Sequence, residues 1–453
     1  MRFRASELAS ALGTTLVGDD VTINGADFDS RTIERGQLFV PIVAARDGHD
    51  FVVSAVESGA VAYFTSQGQI DGTAEATAIP VADTAAALRD AAAWARQRTD
   101  AAVVAITGSV GKTTTKDMTA AALAAELLVS ANRRSFNNDQ GLPVTILNAD
   151  DRCDALVVEM GMRGFGEIAR LCQIASPRIG VVTKVGASHT ERLGGLSGVA
   201  VAKRELVESL TPSGTAILNA DDPHVDAMAD HTEAGVLRFG TASSADVHVS
   251  NIQLDGQARA RFAVTTPWGR ADVGLGVSGA HMVHNAAAAL CVAGTLGVGL
   301  DAAVDAIGAA AVSDRRMQRH VLASGAVIID DGYNANPTSV RAALEALAAM
   351  EAERRVAVLG VMAEIEDADT SHREIAEQAR SLGIELVPIG TDLYGVAPVD
   401  DVRAALGHLG RGDVVLCKGS LVARMDRVVA RILDAEADAD ADADAEADAD
   451  GGG

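Results

Sequence analysis

Residues 101–116 read AAVVAITGSVGKTTTK, an unbroken apolar run followed at once by a glycine-framed Lys-Thr-Thr. A short apolar run bounded by glycine reads as a buried strand, and the threonines behind it open a helix. That junction suits a nucleotide triphosphate. Backbone N–H groups of Gly108, Ser109, Val110 and Gly111 can point into one concavity, and the helix beginning near Thr113 adds its positive end. Lys112 supplies a mobile charge for the outer phosphates, Thr114 continues the loop into the helix, and Thr113 is placed to ligate magnesium. The position five residues before Gly111 is Ile106 rather than glycine, so the loop is a shortened variant of the general phosphate-loop pattern.

The chain has 453 residues, enough for about three domains at roughly 150 residues each. Hydrophobic residues make up 48% and aromatics only 3%, so its cores are built of Ala, Val, Leu and Ile, as in alternating buried strands and helices. The N-terminal residues MRFRASELASALG contain no continuous apolar segment, and the least polar stretch, 286–300, is too short to span a bilayer. The expectation is a cytoplasmic protein. Four cysteines, Cys153, Cys172, Cys291 and Cys417, form no CxxC pair and are expected to be reduced and buried. A formal charge of −24 argues against nucleic acid or an anionic membrane as partner. Nine of those charges lie in 434–450, DAEADADADADAEADAD, which reads as a disordered acidic tail over 434–453. Lysine is scarce: Lys112, Lys116, Lys184, Lys203 and Lys418 stand against 33 arginines, which makes each a candidate for chemistry only an amine can do.

Residues 1–88 mix short apolar runs, GQLFVP and AVAYF, with polar turns such as RDGHD, and read as a small α/β domain. A helix over 84–98 leads into the phosphate-loop strand. From 89 to 312 the runs VVAIT, ALVVEM, RIGVVTKVG and TAILNA alternate with helices near 166–175 and 196–210, which implies a parallel sheet covered by helices. The alternation repeats over 313–433: VIIDDGY, a helix from Pro337, VAVLGVM, a helix from Ser371, IELVPIG, a helix from Asp400, DVVLCKGS and a last helix to about Leu433. Proline suits the first turn of a helix because it has no N–H to lose there. This third domain is of doubly wound type, whose ligands collect at strand carboxyl ends, where Asp330, Asp331 and Lys418 fall.

Glu159 ends the run ALVVEM and His189 follows RIGVVTKVG, so both sit at strand ends beside the phosphate loop as candidate magnesium ligands. Carboxylate oxygen is the expected hard ligand, whereas histidine is unusual there and more often a satisfied polar residue. Lys203, in VAVAKRELVESL, is by default a surface or helix-terminus cation.

These segments together resemble the Mur ligase family. The likeness runs through DSRT (29–32), DGHDF (47–51), TGSVGKTTTK, SFNNDQGLP (135–143), EMGMRGFGEI (159–168), His189, AKREL (202–206), GAHMVHNAAAA around Asn285, DDGYNANPTS (330–339) and KGS (418–420). It covers nearly the whole chain except the acidic tail. The segment YNANP (333–337) is similar to the branch that joins D-alanyl-D-alanine to UDP-N-acetylmuramoyl-tripeptide, and no DNPR-like segment of the diaminopimelate-adding branch is present.

The resemblance implies an α/β, three-domain architecture: a UDP-sugar-binding domain (1–88), a central P-loop parallel-sheet ATPase domain (89–312) and a C-terminal Rossmann-like domain (313–433). It implies ATP and two magnesium ions, with Lys112 on the outer phosphates, Thr113 and Glu159 on one magnesium, and His189 helping to hold the second. Lys203 would be carbamylated, turning a cation into an anionic oxygen ligand. Asn285, Arg316, Asp331, Tyr333, Asn334 and Asn336 would line the nucleotide. Asp29, Ser30 and Arg31, with Asp47, Gly48 and His49, match positions associated with the UDP-sugar; Asn137, Asn138 and Gln140 match a substrate-facing loop. The implied reaction phosphorylates the tripeptide carboxylate and condenses the acyl phosphate with the dipeptide amine, in a monomeric cytoplasmic enzyme. Four positions depart from the family pattern: Lys184, Met282, Val361 and Leu421. Two other readings remain, a sister ligase that adds a different amino acid and a nucleotide-binding subunit without catalysis. Whether the tripeptide ends in diaminopimelate or lysine stays open.

Overall fold

The computed structural model describes residues 1–132, 136–188 and 190–434. Ser135, His189 and the acidic tail from residue 435 onward lie outside them.

The N-terminal region carries a parallel sheet in the order Ala26–Asp27, Leu38–Phe39, Ala62–Thr65, Thr77–Pro80, beside an antiparallel pair, Arg2–Arg4 with Thr22–Asn24. Side chains alternate across a strand, so Tyr63 faces a small core with Val52 and Ala55 while Phe64 faces a much larger one. The helix Thr84–Arg96 starts where Asp83 accepts hydrogen bonds from Ala85 N and Ala86 N. It buries Ala87, Leu88, Ala91, Ala92 and Ala95, a single helical stripe. That stripe packs on the helices Gly141–Leu147 and Glu167–Ala175 and also on the strand Ala62–Thr65. The expected boundary at residue 88 thus falls inside one continuous helix, and one hydrophobic cluster runs from Phe3 and Phe64 through Leu88 to Val103 and Leu156.

The described residues form a nine-stranded central sheet, parallel from Val129–Ala131 through Ala155–Glu159, Ala102–Thr107, Ile179–Val182, Thr215–Asn219 and Gly235–Gly240 to Val247–Leu254. The expected parallel sheet needs one correction. Arg259–Thr266 and Gly269–Ser278 extend it as an antiparallel meander. Alternate residues of Arg259–Thr266 are buried, the period-two pattern of a half-buried strand, which a search for continuous apolar runs passes over. The stretch 286–300 lies largely in the buried helix Met282–Thr295, whose alanines allow close packing against the helix Lys112–Ala124. No helix of the described residues is long and apolar enough to cross a membrane.

The C-terminal sheet runs Gln318–Val321, Val327–Asp330, Asp413–Lys418, Arg354–Leu359, Glu385–Pro388, parallel except for its first strand. Helices Pro337–Ala349 and Ala368–Ser381 cover it, with the short Val402–Leu406 and a helix over 425–434. The last two expected starts shift slightly: one helix begins at Ala368 rather than Ser371, and the other at Val402 because Asp401 caps it. All four cysteines are free and buried.

Leu88 is fully buried in the shared cluster, so Leu88→Ala should cost about 2–5 kcal/mol of stability, measurable by urea unfolding. Hydrogen exchange should quicken in Ala62–Thr65 and Ala155–Glu159 together; quickening in the first strand alone would mean two independent cores.

Candidate active site

The loop between Ala102–Thr107 and Lys112–Ala124 turns at Gly108 (φ 152°) and Gly111 (φ 85°), both in conformations L side chains rarely adopt. A Cβ on Gly108 would collide with Thr183 Oγ1, and one on Gly111 would lie 2.5 Å from Asn285 Oδ1. The neighbouring strand end fastens the loop: Ser109 N donates to Lys184 O (2.7 Å), Ser109 Oγ to Gly186 O (3.0 Å) and Thr183 Oγ1 to Val110 O (2.6 Å). Ser109 therefore holds the loop's shape with its hydroxyl. Lys184 contributes its carbonyl while its residue is exposed.

Lys112 Nζ donates back to Gly108 O at 2.8 Å, so its ammonium already arches over the loop. Burial lowers its pKa, Glu159 opposes that shift and Arg316 adds to it. Thr113 Oγ1 donates to Glu159 Oε2 (2.7 Å), and Asn137 Nδ2 donates to Glu159 Oε1 (2.8 Å). Burial alone would raise the Glu159 pKa; Lys112, Arg316 and these two hydrogen bonds outweigh it and hold the carboxyl below its ordinary range. Glu159 is thus an anion at neutral pH. Lys203 is 3% exposed and, among the described residues, has no hydrogen-bond or ion-pair partner for its amine. Burial pushes its pKa far down, Lys112 pushes it further and Glu159 only partly opposes them.

This donor set fits magnesium. Thr113 Oγ1 and the Glu159 carboxylate are hard oxygens. No cluster of three or more His, Cys, Asp or Glu able to hold a metal exists among the described residues. The Lys203 amine, without a partner among the described residues, lies close enough to Lys112 and Glu159 to feel their charges. His189, the other expected ligand, lies outside the described residues.

The C-terminal domain closes the site. Arg316 Nη2 donates to Thr113 Oγ1 at 3.0 Å, and its guanidinium lies 4.2 Å from the centre of the Tyr333 ring. Asp331 pairs with Lys418 at 2.5 Å and accepts from Met317 N at 3.2 Å. Asn285 reaches the loop from the central domain, its Oδ1 accepting from Thr115 Oγ1 at 3.2 Å. Asn334 is exposed, its carbonyl accepting from Lys418. Asn336 caps the helix Pro337–Ala349 in a reciprocal capping box with Ser339, so its side-chain oxygen is occupied. Lys418, placed by the sequence at a ligand-collecting strand end, stands in this wall. So does a residue that was not singled out, His281, lying close enough to Asp331, Lys418, His284 and Lys184 to feel their charges. Its only signal in sequence was its place ahead of Asn285.

The central loop is a helix entry. Asn138 Oδ1 accepts from Gln140 N (3.2 Å) and Gly141 N (2.9 Å) at the start of Gly141–Leu147, while Asn137 turns the other way onto Glu159. Phe136 in the same loop meets Phe28 of the N-terminal domain, ring centres 5.6 Å apart. Nearby, Arg31 forms a two-pronged pair with Asp29 (2.8 and 2.7 Å) and stays largely exposed, and Ser30 is half-buried. Asp47, Gly48 and His49 are structural in this geometry. Asp47 takes His49 N and Nδ1–H, and His49 Nε2 accepts from Ser66 N at 3.1 Å. A Cβ on Gly48 would lie 2.5 Å from Ile42 N.

A glycine loop between strand and helix, faced by a carboxylate from the adjacent strand and by an arginine from a separate domain, defines a phosphate-binding protein whose site is completed across domains. Residues 106–293 match the family model of the Mur ligase middle domain, and residues 315–421 that of the Mur ligase, glutamate ligase domain. The chain is 38% identical over 439 residues to UDP-N-acetylmuramoyl-tripeptide--D-alanyl-D-alanine ligase of Mycobacterium tuberculosis, covering 91% of this chain and 85% of that protein. The fold superposes on the crystal structure of MurF from Acinetobacter baumannii with a TM-score of 0.85 at 28% identity, covering 96% of this chain and 99% of that one. It also superposes on the MurF ligase from Thermotoga maritima in complex with ADP, with a TM-score of 0.78 at 26% identity, covering 90% and 96%. The chain belongs to the Mur ligase family.

Gly111→Ala should abolish measurable ATP binding while leaving circular dichroism unchanged, because it strains a positive φ and drives a methyl against Asn285. Burial lowers the His281 pKa from 6.5 to about 4, opposed by Asp331 and reinforced by Lys418. A depressed histidine pKa contributes stability that is fully present above the unfolded value and is lost as pH falls through the folded one. Thermal stability should therefore decline between pH 6.5 and about 4, and His281→Gln should flatten that part of the profile.

Proposed function

We infer that this chain is an ATP-dependent ligase that joins D-alanyl-D-alanine to UDP-N-acetylmuramoyl-tripeptide in peptidoglycan precursor synthesis. The observation that carries this reading is the meeting of Lys112, Thr113 and Glu159 with Arg316 of another domain, in a chain related along most of its length to enzymes of that name. A plain nucleotide-binding subunit would not need a buried Lys203 without a partner among the described residues, within reach of the Glu159 charge.

In this reading the tripeptide carboxylate attacks the γ-phosphorus of ATP, ADP leaves, and the dipeptide amine then displaces phosphate from the acyl phosphate to form the amide. Lys112 moves from Gly108 O onto the outer phosphates, where its charge offsets that developing on the transferred oxygens. Arg316 approaches the same phosphates from the opposite side, held at its angle by Tyr333. Thr113 and Glu159, with a carbamylated Lys203 and His189, would hold two magnesium ions, which would supply further charge neutralisation. Gly108, Ser109, Val110, Gly111 and Thr114 shape the phosphate cradle and Asn285 supports it. Asp331, Asn334 and Asn336 build the wall behind the nucleotide; Asn336 does so as a helix cap.

The UDP-sugar is assigned to the N-terminal domain. There Ser30 and Arg31 are accessible, whereas Asp47, Gly48 and His49 fix their own turn against Ser66 and Ile42. Asn137 links the tripeptide loop to Glu159, while Asn138 and Gln140 fix the loop's turn into its helix. Acyl phosphate hydrolyses readily, so contact of Arg316 with Thr113 before chemistry serves to exclude water. The reading carries with it a monomer working in the cytoplasm.

Phosphate release with ATP and the tripeptide nucleotide should depend on D-alanyl-D-alanine; equal release with single amino acids would sink the assignment in favour of a sister ligase. Lys203→Ala should lower kcat at least about 100-fold at saturating ATP. A variant with wild-type turnover, with or without bicarbonate, would remove Lys203 from the mechanism.

A further inference from the structure

Lys418 ends the strand Asp413–Lys418, which pairs in parallel with Val327–Asp330 in a register that places Cys417 beside Asp330. The next residue on each strand, Lys418 and Asp331, therefore meet at the carboxyl edge of the sheet. Lys418 is 3% exposed, and its ammonium donates to Asp331 Oδ2 (2.5 Å), Asn334 O (2.9 Å) and Asp331 O (3.4 Å). The second carboxylate oxygen of Asp331 accepts from Met317 N at 3.2 Å.

Met317 (φ 51°) and Arg315 (φ 62°) are both left-handed without being glycine. Such residues persist only where their surroundings fix them. Here they flank Arg316, the residue that reaches Thr113. Arg315 is held by its guanidinium on Gly332 O, and Met317 by Asp331. The strained pair turns the backbone so that Arg316 points to the phosphate loop while its neighbours point back to the C-terminal sheet.

We propose that Lys418 is a positioning residue for the phosphate loop, acting through Asp331 and the strained segment 315–317 to hold Arg316 against Thr113. The proposal rests on reading the site as one for ATP. Lys418 itself meets Asp331 and the Asn334 carbonyl rather than the loop, so it works at one remove. Without the ammonium, the Asp331 carboxylate loses its charged partner and turns away. Met317 N then loses its acceptor, the left-handed residues relax, and Arg316 withdraws.

The test is a double-mutant cycle with Lys418→Met and Arg316→Met, reading ADP affinity by calorimetry, with unfolding midpoints recorded for each protein. Each single variant should bind ADP about tenfold more weakly, and the double variant about tenfold as well, because the two act in one chain. Losses that multiply to about 100-fold, or wild-type affinity in Lys418→Met, overturn the proposal; a merely structural role for Lys418 gives the multiplied result. Hydrogen exchange at the Met317 amide, read without nucleotide, should be faster in Lys418→Met than in wild type, and unchanged exchange also overturns it. Wild-type protein that fails to bind ADP would instead sink the functional reading, leaving the exchange experiment to decide this one. Should Lys418→Met not fold, Lys418→Gln carries the same measurements.

Discussion

A single hydroxyl organises the site. Thr113 Oγ1 has one proton to give, and it goes to Glu159, so whatever approaches from the far side must come as a donor. Arg316 does. That valence rule fixes the roles of the partners: an acceptor from the central sheet and a donor from the C-terminal domain. Burial works against the Glu159 charge, and Lys112 and Arg316 first, then the Asn137 and Thr113 hydrogen bonds, outweigh it and hold the carboxyl below its ordinary range. From Glu159 the chain continues to Asn137 and the helix Gly141–Leu147. The N-terminal domain docks on this helix end through Asn148 Nδ2 to Ala26 O (2.7 Å) and through the chain's own ammonium on Leu147 O (2.8 Å). Three domains are thereby aligned by one row of hydrogen bonds, which is what a reaction assembled from separate substrates requires.

Much of this was legible in the sequence where local chemistry decides structure. Gly108, Gly111, Lys112 and Thr113 act through a turn that only glycine can make, so their spacing alone announced the loop. The same holds for Pro337 at its helix start and for Glu159 at its strand end. What could not be read were relationships set by tertiary packing. The sequence YNANP does not tell that Asn336 caps a helix, because an asparagine before Pro-Thr-Ser serves equally as cap or ligand. Asp47, Gly48 and His49 look like a polar binding turn, yet both ring nitrogens of His49 are taken and Gly48 is packed on Pro41 and Ile42. Arg259–Thr266 escaped because a strand with one wet face carries half the hydrophobic signal of the buried parallel strands beside it.

Lysine usage ties these threads together. An ammonium is compact and can serve acceptors in three directions, where a guanidinium offers a planar fork. Lys116, buried, donates to Asn132 O (3.1 Å), and Asn132 Oδ1 in turn receives Glu159 N (3.3 Å), so one lysine braces the residue that holds the Glu159 backbone at its strand end. Lys418 bundles a carboxylate and two backbone carbonyls at a strand end. Lys112 arches over the loop. In each case the charge is matched by nearby oxygen atoms.

Lys203 breaks that pattern. It is as deeply buried as Lys116 and Lys418, yet nothing in the described residues accepts its protons, and the nearest named influences on it are one cation and one anion of opposing effect. A buried charge without a partner is expensive, whereas a buried neutral amine is not. The environment therefore favours the amine over the ammonium, and the amine is the form that adds carbon dioxide. A site that needed only positive charge for phosphate would have surrounded Lys203 with acceptors, as it did its three neighbours; leaving it bare is consistent with a site that calls on its nitrogen as a nucleophile.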